Sequence, residues 1–228
     1  MCAVFVGIAK TGVPGLAILV VPLMVFVAGD ARQSAGWLLP ILCTADVFAL
    51  YYWRRHAEGR RLFSLAPWVL VGVGMGAAAL GLNERVLRVT VGVVVLLMLG
   101  VFLWQRLKKG VTLPAHAAPY GVTAGFATTV ANAAGPVMNL YLLGKRLPKE
   151  EFLATGAWFF FIINLTKVPI YLAHGLISPR SLAFDAALVP AVLAGAMIGR
   201  RVIEHIPHLV FELLVVGMTV VATLLLFQ

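Results

Sequence analysis

The chain has 228 residues, of which 61% are hydrophobic and only 12% charged, with a formal net charge of +9 and a mean hydropathy of +0.98. A soluble domain keeps about a quarter of its residues charged, because its surface must meet water, so this composition excludes an ordinary soluble protein. The basic excess sits in short loops between apolar runs, as expected of a membrane protein, and no arginine-rich arm, zinc-finger spacing or RNP-like motif points to nucleic acid.

Eight apolar segments follow one another: 3–28, 34–53, 64–82, 86–105, 118–144, 152–173, 183–199 and 209–227. Runs of about 17 to 25 apolar residues match the thickness of a bilayer when wound as helix. The predicted class is therefore an all-α integral membrane protein.

The first segment is interrupted by "GIAKTGVPGLA", Gly7 to Ala17. Proline removes a backbone donor and clashes with the preceding turn, and glycine permits non-helical dihedrals. Freed backbone groups at membrane depth must be satisfied by protein or trapped water, so irregular backbone there is expected to line a cavity. A half-helix N-terminus carries free N–H groups and a positive partial charge, which suits an anion. Lys10 adds a full charge beside it, making Lys10, Thr11, Gly12 and Gly15 candidate anion contacts. A second reading has Lys10 snorkel to the nearby interface.

Asp46 lies deep in the second segment, and Lys167 lies at the same depth in the sixth, one turn after Asn164. Intramembrane ionisable residues are costly and face a cavity or a partner. Two readings stand: an Asp46–Lys167 ion pair that ties the chain together, or a site in which Asn164 and Lys167 contact substrate and Asp46 couples or gates. Asp46 is read as the sole candidate proton carrier of the core. The fifth segment has its own break in "TTVANAAGPVMNLYLL", Thr128 to Leu143, with Asn132 and Gly135 as further candidate contacts.

Cys2 and Cys43 read as packing residues. "EHIPH" places Glu204, His205 and His208 in a loop where Pro207 breaks the helix that a metal pair needs, so no metal or cofactor is expected. No Walker A, GxSxG or HExxH motif is present, and catalytic residues are not predicted.

Residues 1–107 align with 118–228. An offset of 121 places Trp37 on Trp158, Ile41 on Ile162, Asp46 on Lys167 and Pro14–Gly15 on Gly135–Pro136. We therefore expect two homologous halves of four segments, 1–110 and 111–228, as many transporters are built. If all eight segments cross, each side of the membrane carries eight loop cations. If the first segment of each half is re-entrant, one side carries twelve and the other four: Arg32, Arg85, Arg88 and Arg180. The second bias fits the positive-inside rule, and favours inverted repeats with a broken or re-entrant first segment in each.

The stretches "AKTGVPGLAILVVPLM", "LLPILCTADVFALYYWRRHA", "TTVANAAGPVMNLYLL" and "TGAWFFFIINLTKVPIYLAHGLI" resemble the TauE/SafE family of membrane permeases, also called sulfite exporters. The resemblance runs over nearly the whole chain. It departs where many members have a glycine-rich first motif and this chain has "KTGVPG". The resemblance implies a multi-pass protein of the bacterial inner (plasma) membrane that moves sulfite, organosulfonates or related small anions.

Combined with the residues, this leads us to expect a secondary transporter, exporting a small sulfur-containing anion by alternating access. Its midplane site would lie between the repeats, and its partners would be that anion and the lipid bilayer. An inside-negative potential favours exit of an anion by about 2.3 kcal/mol per charge per 100 mV, so export needs no other coupling. An anion channel and a proton-coupled importer share the same residues. A membrane-embedded enzyme acting on phosphorylated lipid is the rival from another class, and it lacks clustered acids or histidines. Oligomeric state is not legible.

Overall fold

The computed structural model describes residues 1–20, 23–24, 31–56, 59–79, 83–108, 116–131, 133–173 and 175–227. The described residues are helical and include no strand. In chain order the helices are α1 (Cys2–Thr11), α2 (Ala31–Trp53), α3 (Gly59–Ala79), α4 (Glu84–Leu107), α5 (Ala117–Ala131), α6 (Ala134–Gly144), α7 (Lys149–Ala173), α8 (Pro179–His205) and α9 (His208–Leu225).

Local sequence explains the helix ends. The N–H groups of Gly12 and Val13 both bond to the Ile8 carbonyl, at 2.9 and 3.1 Å, which closes the last turn of α1. Pro14 cannot continue the ladder, and Gly15, at φ 101°, turns the chain into a short 3₁₀ turn over Leu16–Leu19. That φ suits a residue without a Cβ. Asn83 caps α4, its side chain accepting from the N–H groups of Arg85 and Val86. Ser178 and Ser181 form a reciprocal capping box at the start of α8, with Pro179 in the first helical position, where its missing N–H leaves no bond unmade.

Among the described residues, six helical stretches are long and apolar enough to cross a membrane: Gly36–His56, Leu62–Ala79, Arg85–Gln105, Lys149–Ala173, Pro179–His205 and His208–Leu225. The first and fifth sequence segments differ from these. The first holds the 10-residue α1 and its following turn, and the fifth is two helices, α5 of 15 residues and α6 of 11. At about 1.5 Å per residue, none of the three reaches the roughly 30 Å of a hydrocarbon core.

Two compact units divide the chain. The first comprises Met1–Ala57 and Lys149–Phe211, the second Glu58–Pro148 and Glu212–Gln228. Each unit draws residues from both of the halves expected from sequence.

In the first unit α1 packs closely on α8. A Cβ added at Gly7 would run into the Val192 carbonyl, one at Gly195 into the Val4 carbonyl, and one at Gly12 into the backbone of Gly199. In the second unit α5 packs on α3 by the same device. A Cβ at Gly125 would strike the Val69 carbonyl, and one at Gly72 the Val122 carbonyl. Small residues four apart let helix backbones touch where lipid provides no hydrophobic drive between helices.

Candidate functional site

The polar centre of the first unit is built by α1, α2 and α7. Lys10, near the end of α1, places Nζ 2.7 Å from Oδ1 of Asp46 on α2. The other carboxylate oxygen, Oδ2, accepts a hydrogen bond of 2.8 Å from Asn164 Nδ2 on α7. Asp46 is fully buried, and the Lys10 side chain is 10% exposed. Phe160, also on α7, sets its ring face against the ammonium, with Nζ 4.4 Å from the centroid. A desolvated cation gains from such a ring, whose face carries the negative end of its quadrupole.

Lys167, one turn past Asn164, is half-buried. It lies within electrostatic reach of both Lys10 and Asp46. Cys43, one turn before Asp46 on α2, is half-buried and within reach of the same charges.

Backbone packing holds α1 in place. The Thr11 hydroxyl donates to the carbonyls of Gly7, at 3.0 Å, and of Ala196 on α8, at 2.8 Å. Its hydrogen is committed to those carbonyls, so in this geometry it is not presented to an anion. The Thr11 carbonyl, left over at the helix end, accepts from Trp53 Nε1 at 3.1 Å. Gly12 serves the close crossing with Gly199, and Gly15 makes the turn that follows.

The sequence candidates therefore separate. Lys10, Asp46 and Asn164 make direct contacts, and Lys167 stands nearby. Lys10 is turned inward against Asp46, so the snorkelling reading does not describe it. Asn132 lies outside the described residues. Gly135 belongs to the second unit, where it opens α6 with unfilled space where a Cβ would be. The α6 N-cap, Ala133, has no side-chain oxygen to satisfy the first N–H groups.

Sequence reasoning missed Phe160, Trp53 and Gly199, whose contacts depend on which helices meet. It also passed over Asp185 in α8, buried and 6% exposed. Asp185 is the third residue of the seventh apolar segment, too near its end to meet the depth criterion that singled out Asp46.

Six span-length helices among the described residues, with a buried ion pair held inside one helical unit, define a multi-pass membrane protein. The family model described as Sulfite exporter TauE/SafE matches residues 1–226, and the chain belongs to that family. It is thus a membrane transporter of the sulfite exporter type. No curated protein and no solved structure matches the chain.

Proposed function

We propose that the protein is a secondary transporter that exports small sulfur-containing anions, with sulfite and organosulfonates as the substrate class. The observation that carries this reading is a cationic group held deep in the first unit, the Lys10 ammonium 2.7 Å from Asp46 with Lys167 within electrostatic reach of both. A small anion is drawn to ammonium groups held at such depth. Asp46 acts as the gate. An arriving anion competes with its Oδ1 for the Lys10 ammonium, while Asn164 keeps the carboxylate from swinging free. In the second unit, taken by itself, the start of α6 is suited to an anion, since its N-cap Ala133 makes no side-chain hydrogen bond to the first N–H groups. Loss of the Lys10–Asp46 contact frees α2 from α1, which the glycine crossing keeps on α8, and alternating access follows from that rearrangement.

The test is efflux of radiolabelled sulfite from proteoliposomes, with taurine, sulfoacetate and sulfate as competitors, for wild type and Lys167→Gln. Saturable efflux that the competitors inhibit, and that Lys167→Gln weakens at least tenfold in apparent affinity, supports the reading. Absence of flux for every sulfur anion sinks it. Counterflow with labelled sulfite separates a carrier from a channel, since a channel shows unitary currents and no counterflow.

A further inference from the structure

Two buried carboxylates in the first unit are treated in opposite ways. Asp46 meets Lys10 through one oxygen and Asn164 through the other. Asp185 is 6% exposed, and neither Oδ1 nor Oδ2 has a hydrogen-bond partner. A buried carboxylate anion without a donor or counter-charge costs several kcal/mol, whereas the neutral acid costs far less.

Its neighbours supply no compensation. Phe184 stacks with Trp37 at 5.5 Å between centroids. Ser181, one turn earlier, spends its hydroxyl on the capping box with Ser178. Leu188, one turn later, packs into an apolar cluster that includes Val6, Ile41, Leu42 and Val192.

Helices α1 and α2 are packed against α8. Their titratable and charged groups are the Met1 amino group, Cys2 and Lys10 on α1, and Arg32, Cys43, Asp46, Tyr51 and Tyr52 on α2, with Tyr52 lying under Arg200 at the far end of α8. Lys10 and Asp46 hold each other, and the Arg32 side chain lies outside the described set. On α8 itself Arg180 is exposed near the start, while Arg200, Arg201, Glu204 and His205 stand at the opposite end. Lys149, from α7, also meets α8 only at that far end, at the Ile203 carbonyl. None of these groups bonds to Asp185.

The helix is also weakened beside it. Pro190 lies inside α8 and offers no N–H to the Ala186 carbonyl, so the ladder is interrupted immediately after Asp185. Helices bend at such points. The stretch that carries Asp185 thus has a built-in place to move relative to the rest of α8.

We infer that Asp185 is a proton-binding site. The carboxylate takes one proton from water when the start of α8 opens, holds it as the neutral acid when buried as here, and releases it to water on the next opening. Only the O–H bond forms and breaks. With the transporter reading above, on which this consequence rests, Asp185 in place of Asp46 becomes the carrier that links anion movement to protons.

The experiment uses the full chain in lipid vesicles. Infrared spectra at neutral pH are recorded for wild type, Asp185→Asn and Asp185→Glu. A band from a protonated carboxylic acid is expected in wild type, lost in Asp185→Asn and shifted in Asp185→Glu. Its absence from wild type, or its survival in Asp185→Asn, overturns the site. In parallel, vesicles loaded with a pH-reporting dye are given sulfite. Proton movement with sulfite is expected in wild type and lost in Asp185→Asn, while sulfite exchange persists. Proton movement that survives in Asp185→Asn overturns the coupling. Absence of sulfite flux in wild type defeats the transport reading alone and leaves the infrared result to decide the proton site.

Discussion

Lys10 Nζ and Asp46 Oδ1 lie 2.7 Å apart, joining α1 to α2 through a buried ion pair that Asn164 completes from α7. Removing one member of such a pair strands the other charge, whereas replacing both with apolar groups removes the desolvation problem along with the attraction. Lys10→Met or Asp46→Leu alone is expected to destabilise the protein by about 3–5 kcal/mol. The double variant should lose much less. Unfolding in mixed detergent micelles measures all three. Additive losses would show that the two charges do not compensate each other.

The glycines divide by what a methyl group would meet. At Gly195 and Gly125 it would strike the carbonyls of Val4 and Val69, whereas at Gly74 and Gly100 it would enter open space. Gly195→Ala and Gly125→Ala should each cost about 1–3 kcal/mol through forced backbone separation. Gly74→Ala and Gly100→Ala should gain about 0.5–1 kcal/mol from better helix propensity. Thermal unfolding of the four variants tests the contrast. Equal effects at all four would refute the close crossings.

Lys149 Nζ donates to the carbonyls of Ile203, at 3.0 Å, and Ile206, at 2.7 Å. These carbonyls end α8, where Ile203 also accepts from the Ile206 N–H at 3.3 Å and Pro207 has no N–H to offer it. Lys149→Met should cost about 1.5–3 kcal/mol, the usual range for hydrogen bonds to a charged group. Faster hydrogen exchange at the start of α9 is expected with it. Lys149→Arg should restore most of the loss, and a neutral Lys149→Met would leave the lysine without a structural role.

In the second unit Asn139 Nδ2 donates to Thr219 Oγ1 at 3.3 Å, and that hydroxyl donates to the Val215 carbonyl at 2.7 Å. Both side chains are buried. Thr219→Val strands the amide donor and should cost about 1–3 kcal/mol. Asn139→Leu leaves only a spare acceptor lone pair and should cost less. Adding Asn139→Leu to Thr219→Val should recover stability. If the second substitution deepens the loss, the bond has no part in holding α6 to α9.

Several features were legible because they are properties of the chain as a line. Run length and composition set the helical membrane class. Pro14 and Gly15 interrupt a helix wherever they stand, which is why α1 stops at Thr11. The motif at 128–143 and its neighbours carried the family resemblance. Asp46, Asn164 and Lys167 stood out because ionisable and amide groups are rare in apolar segments, and Lys10 because it flanks a break.

Contacts were less legible. The offset of 121 suggested Lys167 as the cation for Asp46, since both sit at one depth. The cation in direct contact is Lys10, because the glycine crossing with α8 fixes where α1 stands. Thr11 looked like an anion donor from its position beside the break, yet its hydroxyl serves the Ala196 carbonyl across that same crossing. Asp185 shows the reverse error. It lies only a few residues into its apolar segment, where a carboxylate ordinarily reaches water.

The sequence by itself determined that the chain is helical, embedded in membrane, broken at Gly12–Gly15, and a member of a transporter family. Each of these follows from local backbone chemistry, from the free energy of moving side chains out of water, or from motif order. Only the tertiary structure decided that Lys10 and Asn164 share Asp46, that Phe160 faces the ammonium, and that Asp185 is left without a donor. Those depend on how closely helices distant in sequence approach, which is set by carbonyls and small residues meeting in three dimensions.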